Sequence, residues 1–337
     1  MTDDLATVGE RAALGRILPR LARADALLGP GDDAALLAAP DGRVLLSTDA
    51  MIEGPDFRRA WSTPFELGWK AMATNLADIA AMGGRPTGLL VALAAPGETP
   101  VVDLEGLADG MAAACAHLAP GVGVVGGDLT RGPVLSFAVT VTGSLDGREP
   151  VLRSGARPGD TVAYSGRLGL AGAALRLLFA VGEEDAAAVA DLRRVKSGLL
   201  QEQLAPRPPI ADGVVAAEAG ASAMLDVSDG LLLDAQRIAE ASGVVLDLDR
   251  AAVEEAAEAV VAVSDPEGLA APLPALGPNE AFALVLGGGE DHGLLACFPG
   301  EVPDGFRVLG TVRQGAAEVR IDGAAVDPSG WDSFSTP

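Results

Sequence analysis

The chain has 337 residues, of which 49% are apolar, 4% aromatic and 21% charged, with 43 glycines and a formal net charge of −23. A chain this long and this apolar builds more than one ordinary core and is not disordered. Its negative balance opposes binding to nucleic-acid phosphates or to an anionic membrane surface.

An amphipathic helix is expected over about residues 4–22, then the loop GPGDDAAL and a strand at 43–48. The opening MTDDLATVGE is acidic and polar, unlike a secretory signal, and no apolar run reaches bilayer length, so a cytoplasmic protein is expected. Residues 63–82 have helical spacing, with Ser62 or Thr63 as N-cap and Gly83-Gly84 as the stop. A strand at 88–94, a helix at 103–118 and strands at 122–125 and 134–144 complete a first α/β domain, residues 1–148. The Gly, Arg and Pro-rich segment 147–160 reads as a joint. A second α/β domain, 149–337, is expected to hold a strand at 161–165, helices near 169–180 and 183–204, a helix at 210–219, a strand at 222–226, a helix at 230–242 and a strand at 244–248. Strands near 293–298, 306–312 and 317–321 close it. Cys115 and Cys297 sit in apolar runs without metal spacing, and His117 and His292 lack partners in sequence, so all four read as packing residues.

One local pattern recurs: an apolar strand, then Asp beside Gly, Ser or Thr. It occurs at Asp32 and Asp33 (GDDAALL), Asp49 (LLSTDAM), Asp128 (VVGGDLTRG), and Asp226 and Asp229 (MLDVSDGLL). Asp78 adds a carboxylate inside the apolar helix NLADIAAMGG, where it is costly. Any one of these suits a turn or a cap. Together they suggest convergence, in which each close pair repels by about 4 kcal/mol at intermediate dielectric. A hard divalent cation removes that cost, and Asp oxygens with neighbouring hydroxyls are what Mg²⁺ binds. The EF-hand ligand order is absent from DVSDGLLLD, which disfavours calcium. GVGVVG (121–126) fits GxGxxG but follows a helix and reads as strand, and no GxxxxGK[ST] exists, so neither a dinucleotide fingerprint nor a P-loop is present. A nucleotide would be held through metal, glycine-rich backbone such as GGD (126–128) and GGGED (287–291), and arginines such as Arg131 and Arg153.

In this order the motifs resemble the thiamine-monophosphate kinase family over nearly the full length: GPGDDAALL (29–37), STDAMIEG (47–54), KAMATNLADIAAMGGRP (70–86), GGDLTRGP (126–133), LRSGARPGD (152–160), LDVSDGLLLD (225–234), GGGEDHGLL (287–295) and GWDSFSTP (330–337). The resemblance extends to the superfamily of aminoimidazole ribonucleotide synthetase. It implies a homodimer whose N-terminal domains, carrying the ATP and Mg²⁺ sites, form a shared β-barrel, with a C-terminal α/β domain completing the nucleotide and substrate site. It implies several Mg²⁺ ions on Asp33, Ser47, Thr48, Asp49, Asp78, Asp128, Asp226 and Asp229, with Asp33 taken over Asp32. ATP contacts would come from Gly127, Asp128, Arg153 and Ser228, and substrate contacts from Asp56, Glu290 and Trp331. The chain departs from the family at Asp56, where histidine is common, and at His292, which replaces an aromatic residue.

The activity so implied is Mg²⁺-dependent phosphoryl transfer from ATP to thiamine monophosphate. The acceptor phosphate has its second pKa near 6, so no catalytic residue beyond the metal ligands is expected. The alternatives are an ATP-dependent synthetase of the same superfamily and a noncatalytic acidic metal-binding protein. The first lacks the N-terminal or C-terminal cysteine that its selenophosphate and hydrogenase-maturation branches would want.

Overall fold

A computed structural model describes residues 4–8, 10–21, 26–27, 37–264, 275–328 and 330. The chain forms two compact units, one of residues 1–79 and 84–148 and one of residues 80–83 and 149–337.

In the first unit, helices α1 (Leu5–Val8) and α2 (Glu10–Ile17) and a 3-10 turn (Leu18–Arg20) stand where one longer helix is expected. They are followed by β1 (Leu45–Ile52), α3 (Pro64–Ala81), β2 (Arg85–Ala95), α4 (Val101–Leu118), β3 (Val124–Arg131) and β4 (Ser136–Ser144). Helix α3 starts at a capping box: the Thr63 hydroxyl accepts the Glu66 N–H at 3.2 Å, and the Glu66 carboxylate accepts the Thr63 N–H at 2.8 Å. It stops at Gly83, whose φ of +72° a side chain would resist. Helix α4 approaches α3 so closely that a methyl on Gly110 would overlap the Phe65 carbonyl.

The four strands run in the order β1-β4-β2-β3, with only the β2–β3 pair parallel. Alternation along each strand gives the sheet two unlike faces. Phe137, Val139 and Val141 of β4 face the same side as Leu93, Val91 and Leu89 of β2, and all six are buried. Ile79 of α3 packs on this side against Gly143. The other face carries Leu46, 69% exposed, Leu90, 41%, and Ile52, 43%, among exposed Thr48, Ala50, Ala92 and Ala138.

The second unit contains β5 (Thr161–Ser165), α5 (Leu170–Val181), α6 (Ala186–Leu204), α7 (Ile210–Glu218), β6 (Ala223–Asp226), α8 (Leu231–Ser242), β7 (Val245–Leu248), α9 (Arg250–Ser264), α10 (Pro278–Gly287), β8 (Leu294–Phe298), β9 (Phe306–Arg313), β10 (Glu318–Ile321) and β11 (Ala324–Ala325). Its seven strands run β11-β10-β7-β9-β5-β8-β6, antiparallel except for β7 with β10. Strands β7 and β8 are buried at every position, as in a sheet with both faces covered. Tyr164, Met224, Phe298, Leu177, Leu178 and Leu192 form the centre of the core. Helix α6 breaks its regular backbone at Lys196.

The architecture is mixed α/β with two separate sheets. Cys115 and Cys297 are buried, and burial pushes both thiols up to about 12. His117 packs on Trp69 with ring centroids 5.7 Å apart. No described helix is long and apolar enough to cross a membrane.

Candidate functional site

In the first unit STD (47–49) and GGD (126–128) lie within strands and not at their ends. Ser47, Thr48 and Asp49 are consecutive in β1, so their side chains alternate between the faces. The Ser47 hydroxyl donates to Asp78 Oδ2 at 2.7 Å, which joins the strand to α3. Asp49 is in register with buried Val139 and so belongs to the same side as Ser47. Thr48 belongs to the open face, where its hydroxyl meets that of Thr140 at 3.0 Å. Asp128 is in register with Ala92, then Ala138 and Ala50, which also places it on the open face. Because β1 and β3 are the two edges of the sheet, Asp49 and Asp128 are separated by three strand spacings, on the order of 14 Å.

Among the described residues, no group of three or more His, Cys, Asp or Glu side chains is placed to hold a metal ion together. The strand-end reading of STD and GGD fails because β1 and β3 continue through both motifs. Gly127 has its own structural reason, since a methyl there would overlap the Val91 carbonyl of β2. Gly126, Gly127 and Asp128 also border a cavity of about 850 Å³ whose walls include Leu14 and Ile17 of α2 and Leu89 to Leu93 of β2. Asp56 accepts the Ile52 N–H at 2.7 Å and thereby ties down the turn after β1.

In the second unit two loops meet. DVSDG (226–230) leaves β6, and GGGEDHG (287–293) joins α10 to β8. Their backbones are zipped by Val227 N–H to the Gly293 carbonyl at 2.8 Å, His292 N–H to Val227 at 2.8 Å and Glu290 N–H to Ser228 at 2.6 Å. Gly289, Glu290 and His292 have φ of +66°, +57° and +50°, a left-handed conformation that only the first adopts without strain. Side chains hold the loop in it. The Asp291 carboxylate accepts the N–H groups of Gly169 and Ala171, at 2.7 and 3.3 Å, at the start of α5. Burial raises Asp291 to about 7, against the lowering effect of those two bonds. The Gln203 amide of α6 donates to the Glu290 carboxylate.

The acidic residues of DVSDG each have a partner. Asp226 Oδ2 lies 3.4 Å from His292 Nδ1, so His292 joins the site and is more than packing. Asp229 pairs with Arg237 at 2.6 Å, and Arg237 also reaches Asp234 at 2.5 Å. Asp234, 1% exposed, accepts the Asp229 N–H at 3.0 Å, and its burial raises it to about 6. Gly330 comes so close to the Asp229 carbonyl and Leu233 that a side chain there has no room. Arg153 has an exposed side chain, and its carbonyl accepts the Ser242 hydroxyl at 3.1 Å. Asp33 and Trp331 lie outside the described residues.

Sequence reasoning missed Asp234, Arg237, Gln203 and Asp291. The signal available was Asp234 itself, an acid closing the apolar run LLLD on a helix. The donors present suit magnesium in kind, being hard carboxylate and hydroxyl oxygens. Carboxylates offered singly or in pairs also suit an ion that retains water and takes further ligands from phosphate, more than one caged wholly by protein.

The model for AIR synthase related protein, N-terminal domain, matches residues 31–145, and that for the C-terminal domain matches residues 157–310. A thiamine-monophosphate kinase of Mycobacterium tuberculosis is 45% identical over 335 residues, covering 99% of this chain and 94% of its own. The crystal structure of thiamine-monophosphate kinase from Stenotrophomonas maltophilia superposes with a TM-score of 0.73 at 31% identity, over 94% of this chain and 96% of that one. A further structure, in complex with AMPPCP and TMP, has a TM-score of 0.69 at 31% identity and covers 86% of each chain.

Proposed function

The chain belongs to the AIR synthase related family and, within it, to the thiamine-monophosphate kinases, and from that membership we propose that it transfers the γ-phosphoryl group of ATP to thiamine monophosphate, giving thiamine diphosphate and ADP. The observation that carries this reading is the match to such a kinase at 45% identity along 99% of the chain. It is supported by the related structure that holds AMPPCP and TMP together.

The chemistry asks little of a general base. The attacking phosphate oxygen is largely deprotonated at neutral pH, so the residues must bring two polyanions into line and offset their repulsion. Gly127, Asp128, Arg153 and Ser228 are assigned to ATP, with Arg153 free to fork onto phosphate oxygens. Glu290, Asp56 and Trp331 are assigned to the thiamine end, where a carboxylate matches a cationic thiazolium. Gln203 fixes the Glu290 carboxylate and Asp291 fixes its loop, which limits the disorder lost on binding. Asp33, Ser47, Thr48, Asp49, Asp78, Asp128, Asp226 and Asp229 would hold magnesium, which when bound neutralises phosphate charge.

We further propose a cytoplasmic homodimer in which the open faces of two four-stranded sheets close into a barrel. The exposed apolar residues Leu46, Ile52 and Leu90 support this, because a face of that kind on an isolated sheet is unstable in water. The function is tested by mixing purified protein, ATP and Mg²⁺ with thiamine monophosphate, using thiamine as the control acceptor. ADP release that requires the monophosphate is expected. Release that ignores it would remove the kinase assignment and favour a synthetase of the same family.

A further inference from the structure

The corner built by Asp229, Asp234 and Arg237 has an inside and an outside. Asp234 has a side chain only 1% exposed, whereas those of Asp229 and Arg237 are 27% and 34% exposed. Asp234 performs two tasks at once. One oxygen accepts the Asp229 N–H at 3.0 Å and sets the backbone of that residue. The other holds one end of the Arg237 guanidinium at 2.5 Å, one helical turn along α8. The second guanidinium nitrogen is left to reach Asp229 Oδ2 at 2.6 Å. The backbone position of Asp229 is thus independent of the arginine, while its carboxylate is engaged by it.

We infer that Arg237 is a resident counterion for Asp229, exchanged for a divalent cation when one arrives, with Asp234 as the anchor that keeps the arginine beside the site afterwards. This rests on the reading of Asp229 as a metal ligand. Two carboxylates this close require a positive charge whether or not a metal is bound. A guanidinium on a helix supplies it, and its long aliphatic stem lets the charge withdraw by rotation without moving the backbone. The solvent-facing end, at Asp229, is where a cation can compete. The buried end stays paired. Arg237 accordingly sets how much free cation the site needs, although it contacts neither phosphate nor metal in the filled state.

The test uses the full-length protein without nucleotide, with Mn²⁺ as the probe and free Mn²⁺ counted by electron paramagnetic resonance. An ion pair of this exposure competes by a factor of about five, so Arg237→Gln is expected to bind Mn²⁺ about fivefold more tightly than the parent. Arg237→Lys, which keeps the charge but not the fork, should fall between the two. In an Asp229→Asn background the Arg237→Gln gain should vanish, because the contested ligand is gone. Equal or weaker Mn²⁺ binding in Arg237→Gln, or a gain that persists with Asp229→Asn, overturns the inference. The readout involves no turnover, so the kinase reading stands or falls separately, on ADP release in the parent protein.

Discussion

Asp291 carries a proton further up the pH scale than an ordinary carboxylate, because its carboxyl group is enclosed between a loop and the first turn of α5. Its folded-state value of about 7 lies above the free value of 3.8, so the folded chain binds the extra proton. Stability from this residue is complete below the free value and is lost as pH rises through the folded one. Asp234, raised to about 6, acts in the same direction. Asp291→Asn should therefore flatten the fall in urea-unfolding free energy between about pH 4 and about pH 7, by at most about 1.4 kcal/mol per pH unit for one proton. An unchanged slope would show that the residue is ionised throughout. At the same scale, Asp49→Asn and Asp128→Asn should each lower turnover by about 100-fold or more, with circular dichroism and melting temperature near those of the parent. The acidic motifs themselves were legible as sequence, but their partners were not. Asp291 is 122 residues from Gly169, a separation that only the folded topology closes, whereas Asp229 and Asp234 are five apart.

Among the elements, those with chemical punctuation were the ones that could be read. Thr63 and Glu66 mark the start of α3 and Gly83 its end, and Thr63→Ala should cost about 1 kcal/mol in urea unfolding. Strand β3 was harder, because Gly126-Gly127 reads as a loop while the packing against Val91 needs glycine inside a strand. Helix α9 goes unread even though Val253, Ala257, Val260 and Ser264 have helical spacing and are its buried positions. The close approach of α4 to α3 rests on Gly68, Gly106 and Gly110, and Gly110 in isolation looks like a helix weakness. Its role predicts the opposite sign from helix propensity. Gly110→Ala should destabilise by about 1–3 kcal/mol through overpacking, and a gain in stability would refute the contact with Phe65.

On the scale of the molecule, the mixed α/β class follows from the alternation of apolar strands and helices, but the separation of Asp49 from Asp128 does not. A strand order is set by pairing between distant segments, and β1 and β3 reach opposite edges only because β4 inserts between β1 and β2. Asp128 lies on the open face that the proposed dimer would close, whereas Asp49 belongs to the opposite side of the sheet. Leu46→Glu together with Leu90→Glu should convert a dimer to a monomer in light scattering and abolish ADP release. A protein that is monomeric without the changes would exclude the barrel.

Ala80 to Gly83 are counted with the unit that otherwise begins at residue 149. The Met82 carbonyl receives the Val151 N–H at 3.1 Å, and Gly213 lies against Ala80 too closely to admit a methyl. A gene cut at the joint would therefore not yield two independent modules, because the later fragment leaves four of its own residues behind in the earlier one. A fusion or swap of the later half is therefore expected to need this short upstream stretch with it.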